Sequence, residues 1–320
     1  MPETPASVIK IGISSCLLGE MVRFDGGHKR DDFLTETFGR FVSFVPVCPE
    51  VELGLGTPRE TLRLVGSAET ARLVTTKTAI DHTQAMDAWA RERLEGLAGE
   101  GLSGYVLKKD SPSCGMERVK VYGGSGPAAR NGRGIYAARL LARFPLLPVE
   151  EEGRLHDPWL RENFVERVFA YRRVEDFFAA RWTMGQLVLF HTAQKLLLLA
   201  HEPKAYEKLG RLVAGAKGQP RHEVASEYKE CFMKALAKLA KARQHVNVLQ
   251  HMAGYFKKLL SAADRQELVQ IIDDYGKGLV PLVVPLTLLR HHVRVHGVSY
   301  LAGQVYLEPH PKELMLRNHA

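Results

Sequence analysis

The chain has 320 residues, of which 45% are hydrophobic and 25% are charged, as in a globular protein long enough for two domains. Its four cysteines are too few for a disulfide framework, and its most apolar run, residues 187–200, is too short and too polar to span a membrane. Residues 1–5 lack the basic and apolar segments of a signal peptide. We therefore expect a cytoplasmic protein without a membrane partner.

The net charge of +8 is divided unevenly between the two halves. Residues 1–150 carry 19 Lys and Arg against 18 Asp and Glu, whereas residues 151–320 carry 25 against 18 and hold 11 of the 13 histidines. A basic second half favours a polyanionic partner such as RNA or DNA. A solvated basic surface would have the same composition. No feature of the sequence indicates a stable protein partner.

In the first half, strand-like runs alternate with helical patterns. Each of three runs leads into a cysteine: residues 8–13 precede Cys16, residues 40–47 precede Cys48, and residues 104–107 precede Cys114. Helical spacing of apolar residues at 79–97 lies between the second and third runs, and a capped helical segment at 132–144 follows Cys114. The alternation predicts an α/β fold, namely a Rossmann-like, doubly wound and mostly parallel sheet.

Cysteines that follow parallel strands are delivered to one edge of the sheet, so Cys16, Cys48 and Cys114 are expected to converge. Three thiolates can hold zinc with a water in the fourth position, or a [4Fe-4S] cluster with one iron lacking a protein ligand. The spacing of the cysteines does not choose between these two centres. The simpler alternative is that each cysteine is a small buried apolar side chain.

Polar side chains accompany the three cysteines. Glu50 is placed for proton transfer, or is a surface glutamate. Ser111 and Ser113 flank Pro112, and their hydroxyls can hold a carbonyl or thiocarbonyl group or simply complete a turn. The remaining candidates for substrate binding are Arg23, Asp25 and Lys108.

The composition changes at residues 148–156, which contain three consecutive glutamates and are predicted to be a linker. We therefore divide the chain into a catalytic domain, residues 1–150, and an all-α domain, residues 151–320. Helical patterns in the second domain cover residues 158–178, 183–202, 221–242, 244–260, 262–275 and 281–296.

One face of the helical domain has the side chains expected of an RNA-binding surface. In the 221–242 pattern three lysines lie away from the apolar residues, and in the 244–260 pattern four polar side chains recur at intervals of four, four and three. A solvated helix surface is the alternative. The candidates are Lys234, Lys238, Lys241, Asn247, His251, Tyr255 and Lys258.

Several motifs in order resemble known families. Residues 14–19, 22–26, 48–50, 54–59 and 108–115 resemble the DUF523 (TudS-like) thiouracil desulfidase family over nearly all of residues 7–150. Residues 190–195, 247–257 and 309–314 resemble the DUF1722 (YbgA-like) domain. The fusion of the two resembles desulfidases that remove sulfur from 4-thiouridine in tRNA.

The resemblance implies a [4Fe-4S] cofactor whose unique iron binds the thiocarbonyl sulfur of the base. Its protein ligands would be Cys16, Cys48 and Cys114. Glu50 matches the family's proton-transfer residue, and Ser111 matches its second catalytic residue. Phe24 stands where many relatives have tyrosine, so no hydroxyl acts there.

The implied partner is thiolated tRNA, which the helical domain would bind. Two other functions remain open at this point. The first is desulfidation of free thiouracil or thionucleosides, and the second is a non-enzymatic iron-sulfur regulator that binds nucleic acid. Glu50 and the two serines beside Cys114 favour an enzyme over a regulator.

Overall fold

The computed structural model describes residues 8–123 and 127–319. Residues 1–7, on which the expectation of no signal peptide rests, lie outside the described part. The chain divides into two compact units, Met1–Asp157, called the α/β unit below, and Pro158–Ala320, called the helical unit.

Two four-stranded sheets form the α/β unit. The main sheet has the order β2-β1-β5-β8 and all its neighbours run parallel, which confirms the predicted Rossmann-like α/β fold. A second, mixed sheet has the order β4-β3-β6-β7. The strands are β1 Lys10–Ser14, β2 Ser43–Val47, β3 Leu62–Val65, β4 Arg72–Thr75, β5 Leu102–Leu107, β6 Val119–Tyr122, β7 Ala129–Gly132 and β8 Val149–Glu151.

Three α-helices accompany these strands in the described part of the unit: α1 Pro49–Glu52, α2 Thr83–Ala98 and α3 Ile135–Arg143. All six residues of β5 are buried, as expected for a central parallel strand that is covered on both faces. Strand β1 has β2 on one side and β5 on the other, so the chain reverses its winding direction at β1. Open α/β sheets bind ligands at such a switch point, outside the carboxyl ends of the strands.

The predicted linker at residues 148–156 is wrong, because this segment contains β8 and belongs to the sheet. Its three glutamates are buried, each less than 8% exposed. They can be buried because each carboxylate has partners. Glu150 accepts from Arg154 Nε at 2.6 Å, Glu151 accepts from Met116 N at 2.7 Å, and Glu152 accepts from Lys109 N at 2.7 Å.

The helical unit contains eight helices in its described residues, in agreement with the predicted all-α domain. None of the helices in the described ranges is long and apolar enough to cross a membrane. The helices are α4 Pro158–Ala179, α5 Met184–His201, α6 Pro203–Gly215, α7 Arg221–Leu236, α8 Ala242–Gly254, α9 Ala262–Gly276, α10 Val283–His296 and α11 Ser299–Ala302.

Two helices are shorter than their sequence patterns predicted. The pattern at 221–242 runs past the end of α7 at Leu236, so Lys238 and Lys241 lie outside that helix and do not share a stripe with Lys234. The pattern at 244–260 continues past Gly254, but α8 ends there and the chain turns so that Phe256 and Leu260 enter the core. Tyr255 and Lys258 therefore do not lie on the same helical stripe as Asn247 and His251.

A buried ion network joins the C-terminal segment to α4. Arg317, with a side chain only 7% exposed, contacts Glu162 through Nε and Glu166 through Nη2, both at 3.1 Å. His201 Nε2 lies 2.6 Å from the other oxygen of Glu166. Burial raises the pKa of Glu166, but His201 and Arg317 outweigh burial and hold this pKa well below its usual range.

We expect Arg317→Met to destabilise the helical unit by about 3–5 kcal/mol, because two buried carboxylates lose their shared cation. Urea unfolding followed by circular dichroism measures this difference. The control is Lys234→Met, which removes an exposed pair with Glu230 and is expected to cost less than about 1 kcal/mol. Equal unfolding midpoints for the two variants would show that the network contributes little.

Candidate active site

The carboxyl ends of β1, β2 and β5 open into a cavity of about 400 Å³. Cys16 follows β1 by two residues, Cys48 follows β2 directly, and Cys114 lies in the loop after β5. All three line the cavity as free thiols, with Cys16 and Cys114 buried and Cys48 half-buried. Three cysteines that are 32 and 66 positions apart in sequence therefore share one wall.

Hydrogen bonds hold the loop that carries Cys114. Ser111 Oγ accepts from the backbone N–H groups of Ser113 at 3.2 Å and Cys114 at 3.0 Å, as in a serine turn. At the start of the loop, Lys108 N donates to Ser14 Oγ at 3.0 Å, which ties the exit of β5 to that of β1. Ser111 also lines the cavity. The Oγ atom that accepts the hydrogen bonds of the turn is therefore the same atom that is predicted to act in catalysis.

Glu50 has partners on both carboxylate oxygens. Ser113 Oγ donates to Oε1 at 2.8 Å, and Arg59 Nη2 pairs with Oε2. Ser113 itself is fully buried, is not among the residues that line the cavity, and donates its hydroxyl hydrogen to Glu50. Its direct contact with substrate stays a prediction, whereas the structure supports a role in positioning Glu50. Glu50 itself lines the cavity with a side chain 17% exposed. A hydroxyl and a cation thus hold the carboxylate in place at the cavity that the three cysteines also line.

Arg59 is a site residue to which the sequence analysis assigned no role. Its side chain is 5% exposed, and its Nη1 donates to the carbonyls of Val22 at 2.9 Å and Gly56 at 3.0 Å. Its buried Nε has no hydrogen-bond partner within residues 8–123 and 127–319. The sequence signal that could have identified Arg59 was its position at the end of the motif at residues 54–59. In the structure, the two glycines of this motif, Gly54 and Gly56, both have positive φ.

The predicted substrate-binding residues lie in different surroundings. Arg23 lines the cavity, with its guanidinium 5.3 Å from the ring centre of Phe24. Lys108 also lines the cavity, but its Nζ pairs with Glu152. Asp25 is half-exposed and accepts from Gly27 N at 3.1 Å, and it is not among the residues that line the cavity.

Burial raises the pKa of each of the three thiols. The pKa of Cys16 rises to about 12, although the nearby positive charge of Lys108 opposes the shift. The pKa of Cys114 rises well above its usual value through burial, then through Glu50 and the other two cysteines, and burial likewise raises that of Cys48. The thiols are therefore neutral at pH 7, and binding a metal must release their protons.

The donor set fits an iron-sulfur group. Across the described ranges, no group of three or more His, Cys, Asp or Glu side chains is arranged to hold a single metal ion. Three thiols that line a cavity of about 400 Å³ suit a larger group that takes three cysteines and leaves one position open. Cys16, Cys48 and Cys114 are the residues that would hold it.

The predicted RNA-binding side chains divide into two groups. Lys234 pairs with Glu230 at 2.5 Å and Lys238 pairs with Glu202, so carboxylates partly offset their charges. All seven side chains are exposed, and the five outside these two pairs are Lys241, Asn247, His251, Tyr255 and Lys258.

We expect Gly134→Ala to impair the site, because a Cβ at this position would lie 2.3 Å from Ser113 O and 2.9 Å from Cys114 N. These are backbone atoms, so the loop that carries Cys114 must move. A displacement of this kind can lower activity by about 100-fold. The catalytic rate per folded chain measures the effect, with Gly96→Ala as control, because that position in α2 has only a flexible arginine end at 3.9 Å. Unchanged activity in Gly134→Ala would contradict the expectation.

Two family models match parts of the chain. The 2-thiouracil desulfurase family model matches residues 11–152, and the model of DUF1722, a protein family of unknown function, matches residues 195–311. The first match contains all three cysteines, Glu50 and Arg59.

Two relatives and one solved structure are similar to parts of the chain. The Escherichia coli protein YbgA, named as uncharacterized, is 33% identical over 153 residues, which is 48% of this chain and 90% of YbgA. The Bacillus subtilis protein YbbK, also named as uncharacterized, is 30% identical over 135 residues, or 40% of this chain and 87% of YbbK. The structure of a [4Fe-4S]-dependent thiouracil desulfidase, TudS, is 32% identical, with a TM-score of 0.39 over 47% of this chain and 94% of that chain. The chain therefore belongs to the 2-thiouracil desulfurase (DUF523) family through its α/β unit and to the DUF1722 family through its helical unit.

Proposed function

We propose that this protein is a cytoplasmic tRNA 4-thiouridine desulfidase that depends on a [4Fe-4S] cluster held by Cys16, Cys48 and Cys114. The observation that carries the proposal is the convergence of these cysteines with Glu50 on one cavity at the switch point of the sheet. Membership of the 2-thiouracil desulfurase family supports the type of reaction.

The proposed reaction is a hydrolysis. When bound, a [4Fe-4S] cluster with one open iron supplies a soft Lewis acid that prefers sulfur to oxygen and makes the thiocarbonyl carbon electrophilic. Water contributes the new carbonyl oxygen and sulfide leaves, so thiocarbonyl becomes carbonyl with no net oxidation or reduction.

Residues of the cavity wall would move the proton and orient the reactants. Glu50 accepts a proton from the attacking water, and Ser113 and Arg59 hold its carboxylate in place. Ser111 presents a hydroxyl to the cavity beside Cys114. Arg23, Lys108 and Asp25 are proposed to contact other parts of the substrate.

The charge of the helical unit supports tRNA as the substrate. Residues 158–320 carry 24 Lys and Arg against 15 Asp and Glu, a net charge of +9, whereas residues 1–157 carry 20 against 21. Neutralising phosphates with Lys and Arg is the main source of sequence-independent affinity for nucleic acid. Free thiouracil has no phosphates, so binding it would not require a basic helical unit.

The test compares substrates with protein purified without oxygen. We expect sulfide release from 4-thiouridine-containing tRNA to exceed that from the free nucleoside and from 2-thiouracil by at least about tenfold in kcat/KM, and to fall with added salt. Equal rates on the free compounds would indicate a desulfidase of free thionucleobases. A protein that retains its iron but releases no sulfide from any of the three would indicate a regulator.

A further inference from the structure

One lysine of the helical unit lies among aromatic rings and has no carboxylate partner in the described residues. Lys195 lies on α5, with its Nζ 5.7 Å from the ring centre of Tyr206 and 6.0 Å from that of Tyr300. No Asp or Glu in the described part of the chain lies within ion-pair distance of this half-buried amine. By contrast, Lys229 lies over Phe178 in a similar way but also pairs with Glu175 at 2.7 Å.

The tyrosines around Lys195 are held in stacks. Tyr255 and Tyr300 lie with ring centres 5.2 Å apart and planes 18° apart. Tyr206 stacks on His191 at 5.3 Å and 8°, and His191 is itself fixed by a hydrogen bond between its Nδ1 and the hydroxyl of Tyr228 at 3.1 Å. The rings are therefore oriented before any ligand arrives.

The patch of Lys195, Tyr206, Tyr255 and Tyr300 is open to solvent. Tyr255 is 40% exposed, and the other three side chains are partly exposed. His251 adds a polar ring at the edge, 5.7 Å from Tyr255. The four members come from α5, α6, the turn after α8, and α11, so no helical stripe in the sequence marks them.

We propose that this lysine–tyrosine patch binds an unpaired base of RNA by stacking and the adjacent phosphate through Lys195. The inference rests on the proposed function, because it identifies where the helical unit would contact tRNA. Parallel rings with exposed surface suit the planar face of any base, and a lysine without a carboxylate is free to take a phosphate. The net charge of +9 on residues 158–320 favours an anionic partner over a neutral one, and a polyanion such as RNA engages more of these charges at once than an acidic small molecule can.

The experiment measures the affinity of the full-length protein for two probes, an unmodified tRNA transcript and a 12-nucleotide oligouridine, by fluorescence anisotropy at several salt concentrations. Tyr255→Leu and Tyr300→Leu are each expected to weaken binding of both probes about tenfold, because a stacked base is lost. Lys195→Met is expected to weaken binding and to reduce the slope of log affinity against log salt by about one, because one phosphate contact is lost.

Two matched controls separate this role from general packing or charge. Tyr122→Leu removes a tyrosine that is also 40% exposed but lies on β6 of the α/β unit. Lys229→Met removes a lysine that also sits over an aromatic ring but is neutralised by Glu175. Both controls are expected to bind the probes like the unaltered protein, and circular dichroism verifies that each variant keeps its helices.

The outcomes distinguish this inference from the proposed function. If the unaltered protein binds tRNA and the patch variants bind as tightly as the controls, the patch proposal is wrong while the proposed function stands. If the protein binds oligouridine through the patch but does not bind tRNA, the patch proposal is supported and the tRNA substrate is not. If it binds neither probe, both are overturned.

Discussion

We expect Glu50→Gln to lower sulfide release from 4-thiouridine in tRNA by about 100-fold to 10,000-fold while the protein keeps its iron. This range is what general acid–base catalysis contributes in enzymes. An amide of nearly the same shape stays beside Ser113 but cannot accept the proton from water. Anaerobic single-turnover assays of sulfide, normalised to iron content, measure the effect.

The control for this prediction is Glu60→Gln. Glu60 lines the same cavity, but its carboxylate accepts hydrogen bonds from Lys77 N and from the backbone and side chain of Thr78. We expect this variant to retain nearly full activity. Because Glu50→Gln also leaves the buried Arg59 without its anionic partner, its unfolding curve is measured alongside. Full sulfide release by a folded, iron-containing Glu50→Gln variant would remove Glu50 from the mechanism.

The second large effect is expected from replacing any of the three cysteines that line the cavity. Serine at position 16, 48 or 114 replaces a thiolate with a hydroxyl, which is a poor ligand for iron in a sulfide cluster. Each of Cys16→Ser, Cys48→Ser and Cys114→Ser is expected to lose most of the bound iron and to release sulfide at least about 1,000-fold more slowly, since the group that binds the substrate sulfur is then missing. Iron content and the visible absorption of the cluster are measured together with activity.

Cys231→Ser is the matched control, because Cys231 is the fourth cysteine and lies half-buried on α7 of the helical unit. This variant is expected to keep both iron and activity. If a variant at position 16, 48 or 114 kept its full iron content and activity, that cysteine would not be a ligand. If Cys231→Ser lost iron, the set of three would be incomplete.

The main sheet and the gathering of the cysteines could be predicted from the sequence, because parallel strands deliver their following residues to one edge. Short apolar runs such as residues 104–107 of β5 indicate the central strands. Residues 71–76 predict one edge strand, which the structure has as β4 of the second sheet. The rest of that sheet could not be predicted, because its strands have only four residues each and their pairing depends on distant segments.

The contacts within the site were less predictable than its members. Glu50 and both serines were expected near the cysteines, but Arg59 was not, since its role depends on a turn that places it against Glu50. The run of glutamates at 150–152 resembled a solvated linker because sequence does not show that Lys109, Met116 and Arg154 would satisfy these carboxylates.

In the helical unit, the surface residues could not be predicted for a different reason. The stripe through Asn247, His251, Tyr255 and Lys258 assumed that one helix continues to residue 260, whereas burial of Phe256 after Gly254 ends it earlier. The lysine–tyrosine patch, whose members span Lys195 to Tyr300, could not be recognised without the packing of four separate elements.

The most direct test of the account is the iron and acid-labile sulfide content of the full-length protein purified without oxygen. The account predicts about four iron and four sulfide per chain, with the absorption of a [4Fe-4S] cluster that changes when 4-thiouridine is added. A single zinc per chain, or no metal retained after anaerobic reconstitution with iron and sulfide, would contradict it.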